Sequence, residues 1–213
     1  MLITNSSYMP NIEIHHHNQD ELKKTEAALK KIGSKIKGFL MLSEINNMAQ
    51  GQTKIRIIPT LYGESTTSSA LTESQRKIFP NPDPDNISSQ QWEDSIGNRI
   101  NSIHAIGGNE TGTSAIVNWN IREYVHINNS GDSIVSKNSK YSFVTLAHEL
   151  VHAYWIMRGE GLVVGVDSNG IANMEEWRAM GINNYYNEIF SENSIRQEHG
   201  LPMRIRYIPS NIS

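Results

Sequence analysis

Between residues 143 and 155 apolar side chains return every three or four positions, at Phe143, Val144, Ala147, Val151, Tyr154 and Trp155. That spacing predicts an amphipathic helix packed on one side. Ser139 or Ser142 stands where it can cap the start, and Arg158 followed by Gly159 supplies a cationic last turn and a stop. A first helix is expected over residues 20–36, with Asp20 near its cap, Leu22, Ala28, Leu29 and Ile32 on its packing face, and Gly33 and Gly38 weakening its end. Ile55, Ile57 and Ile58 ahead of Pro59 mark a strand within residues 52–60. Residues 114–120 and 121–128 carry further strand signal, the second through Ile121, Tyr124 or Val125, and Ile127, before a turn over residues 128–132. The polar stretch 63–74 leads to Pro80, Pro82 and Pro84, whose alternate spacing prevents both helix and ladder and predicts a loop.

Composition narrows what this pattern builds. A chain of 213 residues with 38% hydrophobic content can bury a core and is expected to form one domain over residues 19–213, preceded by a flexible segment over residues 1–18. That segment is rich in Asn, Ser and Ile and has no basic stretch followed by a long apolar run, so it does not read as a general secretory signal. No transmembrane span is evident. A net charge of −3 and a pI near 6.2 argue against nucleic-acid binding, which needs a concentrated basic face. The absence of cysteine excludes disulfides and thiolate metal sites. His15, His16 and His17, in the expected flexible arm, read as incidental, and His104 and His126 need no special function.

The helix over residues 143–155 carries chemistry as well as packing, because it contains His148-Glu149-Leu150-Val151-His152. Two imidazoles four residues apart project from one helix face and can reach a single ion, while the carboxylate between them points at the ion's open side. Burying two imidazoles and a carboxylate on a mostly apolar helix without a partner is costly. The expected chemistry is zinc-assisted amide hydrolysis, with Glu149 as general base.

One Zn²⁺ needs at least one more protein ligand. The position six residues after His152 is Arg158, so the long three-histidine pattern is absent and a later carboxylate is expected. The segment 173–186 offers Glu175 and Glu176, and periodicity alone does not choose between them. Asn173 followed by Glu176 also reads as a capping box, a purely structural use of Glu176. The Glu176-Trp177-Arg178-Ala179 arrangement resembles the third-ligand helix of glutamate-type zinc peptidases, which favours Glu176 with Glu175 second. In many of those families an Asp four residues after the ligand supports a histidine; here that place is Met180, so the partner orienting the imidazoles is not identified.

Three blocks together, Ala147 to Tyr154, Glu175 to Gly181 and Glu192 to Tyr207, resemble the NleD-like zinc metallopeptidase effectors. The similarity is good over residues 100–207 and looser over the N-terminal third. It implies an α+β fold, a single zincin-like domain in which a small mixed sheet packs against the His-Glu-x-x-His helix and a second ligand-bearing helix. It also implies an endopeptidase delivered by a bacterium through type III secretion into the host cytosol, where enteric members cut mitogen-activated protein kinases in the activation loop. The expected partner is therefore a host protein, with no nucleic acid and no membrane. Tyr207, in the third block, is the first choice for stabilising the oxyanion, from a pool that includes Tyr185, Tyr186, Arg204 and Arg206. An edge strand that holds substrate is assigned to residues 121–128. Two other readings fit the same residues: a zinc amidase or peptidase toxin acting on a non-kinase or cell-wall substrate, and a non-catalytic metal-binding module.

Overall fold

Alternation places Ile12 and Ile14, Ile55 and Ile57, and Ala115 and Val117 on inward faces of three strands, all with 0% exposure. Register joins them into two continuous rows, Ile12 against Ile55 against Ala115, and Ile14 against Ile57 against Val117. This computed structural model describes residues 1–104, 112–128, 133–137, 140–161 and 168–206, with the side chains of 102–104 and 168–173 outside that description. In chain order the elements are β1 (Leu2–Asn5), β2 (Ile12–His16), α1 (Gln19–Ile32), α2 (Ile36–Met48), β3 (Ile55–Thr60), β4 (Thr66–Ala70), α3 (Glu73–Ile78), α4 (Ser89–His104), β5 (Ser114–Asn120), β6 (Glu123–Ile127), β7 (Ser133–Lys137), α5 (Ser142–Arg158), α6 (Ser168–Met180) and α7 (Glu192–Glu198). The first five strands other than the β6–β7 ribbon form a mixed sheet in the order β1-β2-β3-β5-β4, with β2, β3 and β5 parallel and β1 and β4 antiparallel on the two edges.

The α+β expectation holds: one mixed sheet lies against α5, and a second helix, α6, faces α5. Helix α5 is more deeply placed than a one-sided stripe predicts. Every residue from Ser142 to Val151 is buried, because α1, α2, α6, α7 and the strands β4 to β6 surround it. Tyr141 caps its start without a side-chain bond, and Ser142 is its first residue; Ser139 lies outside the described residues. Gly159 ends it with φ 72°, a left-handed conformation that glycine adopts without strain. The end of α5 is tied to the sheet by the amides of Gly112 and Thr113, which donate to the carbonyls of Met157 and Ile156 at 3.1 and 3.3 Å. Its start is tied by Trp119 Nε1, which donates to the Ser142 carbonyl at 3.1 Å.

Three expectations are corrected, and elements appear in stretches that carried no assignment. Residues 1–18 are not a flexible arm: β1 and β2 pair with each other, and β2 pairs with β3, because Ile12 and Ile14 complete the buried rows. His16 is buried there, with its ring nitrogens 2.9 Å from Thr4 Oγ1 and 3.0 Å from the Asn18 carbonyl. The first helix ends at Ile32, and a second helix follows that the sequence reading did not anticipate. Gly38 lies inside this second helix, where a Cβ would collide with the carbonyl oxygen of Ile32, so the glycine serves close packing between two helices. The polar stretch 63–74 contains β4 and the start of α3, and α4 was also unforeseen. Finally, residues 121–128 do not form the sheet edge beside α5. They form β6, which pairs with β7 in a separate ribbon, and β4 occupies that edge. The loop expected around Pro80 to Pro84 is found between α3 and α4.

Candidate metal centre and active site

One helical turn separates His148 from His152 on α5, so their rings meet edge to face with centroids 4.9 Å apart. Their Nε2 atoms approach to 3.2 Å. Glu176, carried by α6, turns its carboxylate toward both: Oε2 lies 3.2 Å from His148 Nε2 and Oε1 lies 3.3 Å from His152 Nε2. These three side chains are the group among the described residues that can offer ligand atoms to one ion. Tetrahedral coordination with bonds of about 2.0–2.1 Å sets ligand atoms about 3.3–3.4 Å apart, and the observed triangle fits. Two imidazole nitrogens facing at this distance need a hydrogen on one of them or a metal ion shared between them. The residues therefore fit a divalent ion.

Glu192, at the start of α7, accepts from His148 Nδ1 at 2.9 Å. This bond directs the lone pair of His148 to Nε2, the atom facing the triangle. Glu192 is 2% exposed and is bracketed by two arginines, Arg196 Nε at 2.6 Å from Oε1 and Arg204 Nη1 at 3.0 Å from Oε2. Arg196, itself fully buried, extends the network by donating to the carbonyls of Val125 and Pro202 at 2.5 and 3.2 Å. On the other side, His152 Nδ1 lies 3.8 Å from Glu175 Oε2. Glu175 accepts from Arg178 at 3.1 Å, and the Arg178 guanidinium stacks 4.2 Å over the Trp155 ring.

The second residue of the motif is held from the sheet. Thr67 of β4 places Oγ1 2.8 Å from Glu149 Oε2 and 3.0 Å from the Glu149 carbonyl. Burial pushes the Glu149 carboxyl up; the charges of His148 and His152 and the Thr67 hydroxyl oppose this without cancelling it. For His148, burial disfavours the charged ring, but the hydrogen bond and charge of Glu176 and the bond to Glu192 outweigh it and raise the pKa to about 9. His152 is raised well above its usual range in the same way, against burial, by Glu175 and Glu176. The Glu176 and Glu192 carboxyls are both lowered despite burial, Glu176 by the two imidazoles and Glu192 by Arg204 and Arg196 first. The cluster thus concentrates negative charge around two imidazoles, the electrostatics a cation site requires.

Residues 11–207 match the model of the Peptidase_M91 family, described as "Effector protein". The chain belongs to that family. Among the described residues, His148, His152 and Glu176 are the side chains that could hold a metal ion. No curated protein matches the chain. Among solved structures, the catalytic domain of Clostridium botulinum neurotoxin serotype F resembles it with a TM-score of 0.45 and 15% identity, over 90% of this chain and 52% of that one. This chain thus spans about half the length of that domain.

Of the residues nominated from this family member's sequence, His148, His152 and Glu176 come together, Glu149 lies beside them, and Glu175 stands behind His152. The alternative use of Glu176 as a capping partner of Asn173 involves a side chain outside the described residues. Tyr207 also lies outside them. Arg204 points to Glu192, while Tyr186 is 73% exposed and lines a separate surface cavity of about 570 Å³ with Ile189, Met203 and Ile205. Two functional candidates were missed: Glu192, although it opened the third motif block, and Thr67, in a polar stretch to which no element was assigned.

Proposed function

We propose that this chain is a zinc-dependent endopeptidase, delivered from a bacterium through type III secretion into the host cytosol, where it cleaves a host protein. The observation that carries the reading is the triangle of nitrogen and oxygen ligands with edges of 3.2, 3.2 and 3.3 Å, with the buried carboxylate of Glu149 beside it. Zinc held by His148, His152 and Glu176 supplies Lewis acidity at the scissile carbonyl. Glu149 accepts a proton from the attacking water and returns it to the departing amine. Burial raises its pKa above the ordinary carboxylate value, which favours proton uptake. Thr67 fixes the carboxylate for the transfer, and Glu192 fixes the ring of His148. Tyr207, in the third of the family-like sequence blocks, is the proposed donor to the oxyanion. The activation loop of a mitogen-activated protein kinase is the substrate that the family resemblance implies.

The test is mass spectrometry of new protein termini in host lysate treated with the active chain, the chain with chelator, and Glu149→Gln, beside a peptidoglycan digest. New termini confined to the active chain are expected. Equal cleavage by Glu149→Gln, or release of cell-wall fragments without protein cleavage, contradicts the proposal.

A further inference from the structure

The outer edge of β4 is where an extended peptide can join the sheet, and most of that edge is already taken. In an antiparallel pair, alternate residues turn both main-chain groups to the partner and the others turn them away. Ser69 N donates to Asp94 Oδ1 at 2.8 Å and Leu71 N donates to Glu93 Oε2 at 3.0 Å, so this set of residues faces outward, toward α4. The partner strand agrees: Ala115, paired with Ser69, sends its N–H to the Lys54 carbonyl on the far side at 2.9 Å. Thr67 lies two residues before Ser69 and belongs to the same outward set. Ahead of β4, the Ser65 amide is held by Glu123 Oε2 at 2.6 Å. Among the described residues, the Thr67 amide and carbonyl have no such partner.

We propose that an extended peptide substrate joins β4 through Thr67 alone, and that Glu93 and Asp94 of α4 set this limit by occupying the donors beyond it. The proposal rests on the peptidase reading above and adds how the substrate is seated. Exposure along the strand follows the same division, from an open Thr66 through half-buried Thr67 and Ser68 to Ser69 and Ala70 at 0%. The plug is firmly built. Arg76 of α3 holds Glu93 at 2.6 and 3.0 Å, Gln90 donates to Ser68 Oγ at 3.1 Å, and Ser69 Oγ bonds Asn98 at 3.1 Å. The register this imposes is set at the catalytic group itself, because the side chain of Thr67 bonds Glu149 while its main chain faces outward. One anchoring residue supplies at most one main-chain donor and one acceptor, so selection among peptides falls on side chains flanking that residue and not on a long strand ladder.

Residue-resolved amide exchange on zinc-loaded Glu149→Gln tests this, with acetohydroxamic acid and a hydroxamate-terminated peptide about five residues long as probes. In the free protein the Ser69 and Leu71 amides should exchange slowly and Thr67 rapidly. The peptide should slow Thr67 by at least about tenfold and leave Ser69 and Leu71 unchanged. Replacing Glu93 and Asp94 with Ala should quicken Ser69 and Leu71 by a similar factor and let the peptide protect them too. If that double variant fails to fold, the pattern in the otherwise unaltered chain still decides. Ser69 and Leu71 exchanging as fast as Thr67 in the free protein overturns the proposal, as does a bound peptide that leaves Thr67 unchanged. Protection of Thr67 that grows with protein concentration alone also overturns it, by showing that a second copy fills the edge. Acetohydroxamic acid separates the two levels: failure to bind counts against the metal reading, while exchange in the free protein still judges the edge.

Discussion

His148 and His152 stand one turn apart on the same helix and meet the same carboxylate, yet what lies behind each ring differs. Behind His148 is Glu192, 2.9 Å away, 2% exposed and clamped by Arg196 and Arg204. Behind His152 is Glu175, 3.8 Å away, with a side chain 22% exposed and held by Arg178. The first support belongs to the protein interior and comes from a helix that contributes no ligand. The second rides on α6, one residue from the ligand Glu176, so ligand and support move together. The difference separates an imidazole fixed by the fold from one adjusted by the helix that completes the site.

The largest effect that would test this contrast is on stability. Glu192→Ala leaves two buried guanidinium groups without their anion and should cost about 3–5 kcal/mol in urea unfolding. The milder Glu192→Gln should lower zinc affinity by about 10–100-fold. Equal tolerance of Glu192 and Glu175 variants would remove the contrast.

Next comes the response of the metal-free protein to pH. The pKa of His148 rises on folding from 6.5 to about 9, so its charged ring stabilises the fold fully below pH 6.5, and that contribution is lost as pH climbs through about 9. Thermal melts of the metal-free chain should therefore fall by several degrees across that window. Zinc-loaded protein, whose imidazoles are already deprotonated, should not follow. Parallel curves for the two forms would contradict the sign argument.

Glu175→Gln should be milder, with stability changed by no more than about 1 kcal/mol and zinc affinity by less than about tenfold, measured by competition with a chromophoric chelator. A larger loss there than at Glu192 would reverse the ranking of the two supports. The smallest effect concerns the neighbouring base. Thr67→Val removes a hydroxyl that lowers the pKa of Glu149, so the acid limb of the cleavage profile should move to higher pH by a few tenths of a unit. A shift in the opposite direction would exclude a stabilising bond to the ionised carboxylate.

How legible each part was in the sequence follows from the range of its contacts. His148, Glu149 and His152 were readable because one helical turn fixes their relation, a local fact. Glu176 was readable as one of two adjacent carboxylates, and only the packing of α6 on α5 turns Glu176 to the Nε2 atoms of both rings and Glu175 to Nδ1 of His152. Glu192 lies 44 residues from the ring it supports, and nothing local announces that α7 will bring it there. The polar run Thr66 to Ala70 has no apolar alternation, because one side of this edge strand is served by α4 side chains, and it was therefore assigned no element. Gly38 was read as weakening the end of the first helix, although its role is to let two helices touch. At the N-terminus, the Asn- and Ser-rich composition outweighed the alternation of Ile12 and Ile14 that places β2 in the core.

The account stands on one ion bound by two imidazoles of α5 and a carboxylate of α6. Anomalous diffraction from zinc-soaked crystals at the zinc absorption edge measures this directly. The account predicts one peak within bonding distance of His148 Nε2, His152 Nε2 and a Glu176 oxygen. A site without a peak, or a peak on Glu175 or on the His15–His17 segment instead, would contradict it.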